Sequence, residues 1–257
     1  MPTPSRVSWK EGYDQGPVRR FVAMPQGPGV QVGDWSGVDR PDKRRNMPKG
    51  RKMMGIRGMS EKVNFTAMKD GSREEYEMLE ALEEVHRAGT ASRLLRELAT
   101  QAEESLSGYQ ITRLEHGLQA ATRARKAGAD TDWIVAALLH DIGDGLAPQN
   151  HDKFAAEIMR PFLREEVTWV VEHHGIFQMY YYAHHYGWDR ELRTQYKDNP
   201  YYQSCVDFCE HWDQSSFDPE YPTDPLDSFA ELVHEVFSRK AFDPAHIQPG
   251  KVIGVPA

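Results

Sequence analysis

The sequence predicts an all-α protein, and three observations lead to this prediction. Apolar residues recur at spacings of three and four from about residue 72 to residue 238, which is the period of an amphipathic helix. No segment shows the strict alternation of a half-buried strand, and no internal repeat is present. Residues that begin or end helices stand where the apolar pattern starts and stops, such as Ser72, Gly128 and Gly143.

The first helix is predicted to begin at Ser72, a capping residue followed by an acidic first turn. Its apolar stripe contains Leu79, Leu82 and Val85 and is followed by Leu94, Leu95 and Leu98. Further helices are predicted over residues 110–127, 131–142, 152–163, 165–174, 189–197, 201–214 and 226–238. Together they indicate a helical bundle with one buried core.

Composition divides the chain into three parts: a basic extension punctuated by Gly and Pro (1–71), a helical domain (72–240) and a C-terminal tail (241–257). We interpret the basic run from Lys43 to Lys52 as a solvated or intramolecular charge patch on an otherwise acidic chain, in preference to a nucleic-acid site. The extension lacks the apolar segment of a secretory signal. Targeting to an organelle stays open, although Glu11 and Asp14 come early for such a signal.

The bulk properties favour a soluble, cytoplasmic protein with no membrane partner. The 257 residues carry a formal net charge of −8, and no apolar run approaches the roughly 20 residues of a membrane helix. The only cysteines, Cys205 and Cys209, are four residues apart on one predicted helix. That spacing is poor for a disulfide, and two cysteines are too few for a zinc ribbon, so we expect core residues in a reducing compartment.

Ionisable residues occur where helices should be buried. His140 and Asp141 end the most apolar helix, His174 ends another, and Asp213 follows two buried aromatic positions. His116 is the weakest case, because it lies off the apolar stripe of its helix. A single such residue is usually a hydrogen-bonded core histidine, but several that converge favour a metal, since a cation offsets the cost of burying them.

These residues carry a resemblance to a known family. His116, the pair His140-Asp141 and the distant Asp213 resemble the HD-domain superfamily of metal-dependent helical proteins, and His151 and His174 resemble its two-metal branch. The phrases Asn150-His-Asp-Lys, His174-Gly-Ile-Phe and Trp212-Asp are similar to non-heme diiron oxygenases of this fold, namely myo-inositol oxygenase and the oxygenases that cleave hydroxylated aminoethylphosphonates. The resemblance covers about residues 75–238 and implies an HD-domain helical bundle with an irregular N-terminal extension.

The resemblance also implies a ligand set for two iron ions in the mixed-valent Fe2+/Fe3+ state, with Mn2+ or Zn2+ as alternatives. His116, His140 and Asp213 would hold one ion, His151 and His174 the other, and Asp141 would bridge them. His173 is the rival of His174, because neighbouring helix residues point about 100° apart. We prefer His174, since the Gly-Ile-Phe-Gln after it resembles the segment after the family ligand. The remaining candidates are expected at the surface or behind the ligands: His184, His185 and His211.

The sequence departs from these oxygenases at three positions. Asp144 stands where myo-inositol oxygenase has a substrate-binding lysine, Tyr109 where the phosphonate oxygenases have a gating glutamate, and Gln178 where they have a lysine. We expect Asp144 and Tyr109 to take part in catalysis, and Asp144 and Gln178 to bind substrate. Asp144 and the aromatic residues of 177–182 could hold a substrate ammonium by charge and by cation–π contact. The alternative is that these aromatic residues simply pack helices.

Three functions compete. The resemblance implies an oxygenase that uses dioxygen to cleave a C–C or C–P bond next to a hydroxylated carbon of a small, possibly amine-bearing substrate. The alternative is an HD-type phosphohydrolase acting on a phosphomonoester or nucleotide. It ranks second because Lys153, Arg160 and Arg164 are spaced like an exposed helix face. A binding module with structural metals ranks third, since six ligands around two ions leave coordination positions open. The oligomeric state stays open.

Overall fold

The structure is a computed structural model that describes residues 62–103 and 108–256. The predicted extension, residues 1–71, lies outside this part of the chain except for residues 62–71. All regular elements of the described residues are helical, as predicted. The α-helices are α1 (Arg73–Ala88), α2 (Thr90–Thr100), α3 (Arg113–Lys126), α4 (Thr131–Leu139), α5 (His151–Met159), α6 (Glu165–Tyr182), α7 (Tyr202–Phe208), α8 (Asp227–Phe237) and α9 (Pro244–Ile247).

The core of the bundle surrounds α4. Every residue of this helix from Asp132 to Leu139 is buried, and α4 packs against α3, α6 and α8. Helix α5 packs against α6, and α6 also packs against α7. A helix that is apolar on all sides is stable only when it is enclosed, so α4 is the natural centre of the bundle. No described helix combines the length and the apolar composition needed to cross a membrane.

The apolar stripe of the first helix does not face the core, contrary to what its spacing predicts. Helix α1 begins as expected, with Ser72 accepting a hydrogen bond from the backbone N–H of Glu75. None of its residues is buried, however, and Leu82 and Val85 are 54% and 62% exposed. The stripe that enters the core is that of α2, where Leu95 and Leu98 are buried.

Two further predicted helices differ clearly from the observed ones. Helix α6 does not end at His174 but continues through Gly175 to Tyr182, where Phe177 supplies further buried apolar surface. The predicted helix over residues 189–197 is a 3-10 segment, Leu192–Tyr196. Gly187, with a φ of 73°, turns the chain in the left-handed region before it.

The predicted helix over residues 201–214 changes its winding midway. Helix α7 is regular to Phe208, and the segment Cys209–Asp213 then forms a π-helical turn. A π-turn holds more residues than an α-turn, so it rotates the side chains that follow it relative to a regular helix. The turn ends at Asp213, whose side chain points into the protein interior and is buried.

A buried glutamate binds the C-terminal segment to the bundle through hydrogen bonds. The Glu166 carboxylate accepts hydrogen bonds from the backbone N–H groups of Ile253 and Gly254, each at 2.9 Å, and from the Ser204 hydroxyl at 2.7 Å. The Trp133 indole N–H donates to the carbonyl of Gly254 at 2.9 Å. Part of the predicted tail, residues 241–257, therefore completes the packing around α4 and α6.

Candidate metal centre

The close approach of α3 and α4 brings the first two imidazoles together. A Cβ atom at Gly117 would lie 2.7 Å from the backbone oxygen of Leu138, so only glycine permits this helix spacing. The Nε2 atoms of His116 and His140 consequently lie 3.1 Å apart, with both side chains buried. His116 was expected to lie off the apolar stripe, but α3 is buried around most of its circumference.

The π-helical turn adds a carboxylate to this pair. Oδ1 of Asp213 lies 3.2 Å from Nε2 of His116 and 3.6 Å from Nε2 of His140. The same oxygen accepts a hydrogen bond of 2.8 Å from the side-chain amide of Gln178. Oδ2 of Asp213 is buried and has no hydrogen-bond partner among the described residues. His116, His140 and Asp213 thus form one compact set of three possible metal ligands.

Asp141 connects this set to a second pair of imidazoles. Its Oδ2 lies 3.5 Å from Nε2 of both His116 and His140. Its Oδ1 lies 3.3 Å from Nε2 of His151 and 3.1 Å from Nε2 of His174. The two oxygens of one carboxylate therefore face two different pairs of histidines.

Backbone carbonyls fix the orientation of the imidazoles. In His116, His140 and His174, Nδ1 lies within hydrogen-bond distance of a carbonyl oxygen, so we assign the ring proton to Nδ1. These oxygens belong to Ser216 (2.9 Å), Ala137 (2.8 Å) and Val171 (2.6 Å). With one proton on Nδ1, each Nε2 faces the cluster, where it can hold a second proton or, after losing that proton, bind a cation.

Opposite charges outweigh burial in the electrostatics of the cluster. Burial would raise the pKa of Asp141, but the charge of His140 and the hydrogen bonds of His151 and His174 hold it well below its usual range. Burial would lower the pKa of His116, but the hydrogen bond with Asp213 and the charge of Asp141 raise it. The carboxylates therefore stay ionised, which a cation-binding site requires.

The donor set fits one or more divalent cations. Six side chains offer imidazole nitrogen or carboxylate oxygen, and none offers a thiolate, which suits iron, manganese or zinc. Oδ2 of Asp213 is the clearest indication of a bound cation, because no described residue donates a hydrogen bond to it. A buried carboxylate oxygen is costly unless a cation or a donor satisfies it. The number and identity of the ions remain a prediction at this point.

The structure distinguishes between the two adjacent histidines on α6. His174 lies beside Asp141, whereas the His173 ring stacks on Trp169 with centroids 4.1 Å apart and its Nδ1 lies 2.8 Å from the Trp169 carbonyl oxygen. Three other histidines, His184, His185 and His211, are exposed.

The residues expected to act on substrate surround the cluster at different depths. Gln178 contacts Asp213, as described above. Tyr109 is 56% exposed and stacks on Phe217, whose ring in turn stacks on His116 with centroids 4.5 Å apart. Tyr109 is thus separated from the candidate ligands by one aromatic ring.

Asp144 has a partner that the sequence reasoning missed. It forms an ion pair with Arg113, and its Oδ1 lies 3.9 Å from Nδ1 of His151. Arg113 stands three residues before His116, about one helical turn away, and this spacing could have placed it on the same side of α3. Two of the cations predicted on an exposed helix face have other partners: Arg160 pairs with Glu157 and Glu172, and Arg164 is buried against Asp130 and Asp132.

Known proteins and a family model match part of this chain. One relative is (1-hydroxy-2-(trimethylamino)ethyl)phosphonate dioxygenase (glycine-betaine-forming) of Leisingera caerulea, 32% identical over 91 residues that cover 31% of this chain and 46% of the relative. Another is hydroxymethylphosphonate dioxygenase of Gimesia maris, 35% identical over 86 residues that cover 29% and 43%. The chain thus spans less than half the length of these curated relatives. Its residues 113–210 match the family model of the HD domain.

Proposed function

We propose that this chain is an HD-domain oxygenase that binds two iron ions and cleaves a C–C or C–P bond next to a hydroxylated carbon of a small substrate. The observation that carries the proposal is the position of Asp141, whose two oxygens face two different pairs of imidazoles. One ion would need only one of these pairs. A carboxylate that serves both can span two ions about 3.5–4 Å apart.

The ligands divide between the two ions. His116, His140 and Asp213 would hold one ion with Oδ2 of Asp141, and His151 and His174 would hold the other with Oδ1. When bound, the pair would supply a Lewis acid for the substrate hydroxyl and electrons for the reduction of dioxygen. Six protein ligands leave coordination positions open on two ions, as a catalytic site requires. Mn2+ and Zn2+ are the alternatives that the donor set admits.

Other residues of the chain hold this arrangement in place. Gln178 donates to Oδ1 of Asp213 and fixes the orientation of that carboxylate. The Phe217 ring covers the face of His116 and separates it from Tyr109. Backbone carbonyls keep the Nδ1 proton of three imidazoles in place. Partners of this kind normally set the affinity of a metal site and the geometry of its ligands.

The names of the relatives support an oxygenase over a phosphohydrolase. Both are dioxygenases, and both substrates, by name, carry a hydroxyl group on the carbon bonded to phosphorus. A hydroxylated phosphonate is therefore the first compound to test. Cleavage of hydroxymethylphosphonate balances as one molecule with one dioxygen giving one formate and one phosphate, with no further reductant.

The experiment is anaerobic purification of the full chain, followed by iron analysis, electron paramagnetic resonance and turnover. We expect the signal of a mixed-valent iron pair, a change in that signal on addition of hydroxymethylphosphonate, and one dioxygen consumed for each phosphate released. Retention of manganese or zinc together with hydrolysis of a phosphomonoester, without dioxygen consumption, would instead establish the phosphohydrolase.

A further inference from the structure

Within residues 62–103 and 108–256, the candidate ligands are exposed on one side of the cluster, at Asp141 and His151. The side chains of His116, His140 and Asp213 are at most 3% exposed, whereas those of Asp141 and His151 are 24% and 25% exposed. A small molecule that reaches the cluster must therefore approach over the face formed by Asp141 and His151. Side chains around this face are the ones that can select the substrate.

Arg113 lies at this face. It is the first residue of α3, and the capping box of Thr112 and Glu115 fixes where that helix begins. Its guanidinium forms an ion pair with Asp144, which in turn lies 3.9 Å from the ring of His151. Arg113 thus places a permanent positive charge next to the accessible half of the cluster.

The guanidinium retains donors that Asp144 does not use. Among the described residues, Asp144 is the one polar partner of the Arg113 side chain. A guanidinium has five N–H donors, and one carboxylate can accept about two of them. The remaining donors form a fork that matches the oxygens of a phosphonate or carboxylate.

We propose that Arg113 binds the anionic head group of the substrate, and that Asp144 is a positioning residue that holds the guanidinium in place. The inference rests on the proposed function and narrows it to a hydroxylated substrate with a phosphonate or carboxylate group. It also explains how the site could hold an anion although Gln178, where the phosphonate oxygenases carry a lysine, is neutral. Asp144 then acts on the substrate through Arg113 and does not bind a substrate ammonium itself.

The test is anaerobic calorimetry on the iron-loaded full chain with three probes. Hydroxymethylphosphonate and glycolate carry the two candidate anions, and the dimethyl ester of hydroxymethylphosphonate carries none. For Arg113→Gln we expect binding of the preferred anion to weaken about 10- to 100-fold, as for loss of a charge-assisted hydrogen bond. Binding of the ester and the iron content should stay at the wild-type level. Arg113→Lys should recover part of the affinity, because it restores the charge without the fork.

Arg160→Gln is the matched control. Arg160 is also partly buried and forms ion pairs, with Glu157 and Glu172, but it lies outside the cluster. We expect this variant to bind all three probes as the wild type does. Unchanged anion affinity in Arg113→Gln would overturn the inference, and so would an equal loss for the ester or a loss of iron, since either would indicate a merely structural ion pair.

Failure of the inference and failure of the proposed function are distinguishable. If the wild type cleaves a hydroxylated phosphonate and Arg113→Gln binds it equally well, only the role of Arg113 is wrong. If the wild type binds no iron and neither anion, both are wrong.

Discussion

Nε2 of His174 lies 3.1 Å from Oδ1 of Asp141, although 33 residues separate them in the chain. His174 belongs to α6, whereas Asp141 lies in the turn after α4, so this contact joins the two helices across the cluster. The other oxygen of Asp141 faces His116 and His140. A displacement of any of these helices would therefore disturb both halves of the cluster at once.

The close contact of α3 and α4 at Gly117 predicts that alanine is tolerated there less well than at Gly175, a helical glycine with more room. Gly117→Ala would place a Cβ 2.7 Å from the Leu138 carbonyl oxygen, so we expect a loss of about 1–3 kcal/mol in the free energy of unfolding. At Gly175, also within a helix, the nearest atom is Asp152 Oδ2 at 3.6 Å. Alanine there should be neutral or should stabilise the protein by up to about 1 kcal/mol. Urea unfolding of both variants measures this, and equal destabilisation would contradict the proposed helix contact.

The hydrogen bond from Gln178 to Asp213 predicts an effect on metal affinity. Gln178→Leu removes the donor to Oδ1 of Asp213, and loss of such a partner typically weakens metal binding about 10- to 100-fold. The matched control is Gln203→Leu, which removes a Gln–Asp hydrogen bond of similar length, 2.7 Å, to Asp207 on the surface. Competition with a chelator measures both affinities. A Gln178 variant that holds iron as tightly as the Gln203 variant would show that Asp213 needs no support from this amide.

Two adjacent glutamates that bind the C-terminal segment should differ in importance. In Glu166→Gln, the new side-chain NH2 group would point at the backbone N–H of Ile253 or of Gly254, so that N–H would lose its acceptor. A buried unsatisfied donor costs about 1–3 kcal/mol. Glu165 also accepts an N–H from this segment, that of Gly250, but it is exposed. Glu165→Gln should cost at most about 1 kcal/mol. Thermal unfolding compares the two, and the reverse order would disprove the role given to Glu166.

Both cysteines should be unreactive in the folded protein. Cys205 and Cys209 are fully buried free thiols whose sulfurs lie near backbone carbonyls of α6. Burial raises the pKa of both thiols, and the thiolate is the reactive form. We expect no reaction with a thiol reagent at mildly alkaline pH, and two thiols per chain after addition of denaturant. Rapid labelling of the native protein would show that the π-helical turn opens readily.

Several features were predictable because they depend on local pattern. The apolar spacing identified α4 and α8 to within a few residues, and Ser72 identified the start of α1. The predicted end of α6 is too early because glycine often ends a helix. The helix instead continues through Gly175, where a Cβ would have only a van der Waals neighbour. The exposed face of α1 could not be predicted either, because an apolar stripe does not say whether another helix covers it.

The candidate ligands were harder to derive from pattern alone. Spacing placed His140 and Asp141 at a buried helix end, but only the family resemblance connected them with His151 and Asp213. The π-helical turn that aims Asp213 depends on tertiary packing, which no local signal reports. Arg113 was missed because its position one turn before His116 gains meaning only when Asp144 folds back onto it.

The most direct test of the dinuclear proposal is the number of iron ions bound per chain. The wild type, loaded anaerobically and freed of excess iron, should hold two. His151→Ala should hold about one, since it removes a ligand from the second ion only, and His173→Ala should hold two, because that ring stacks on Trp169 away from the cluster. A wild type that binds a single ion, or a His151 variant that still binds two with wild-type affinity, would contradict the account.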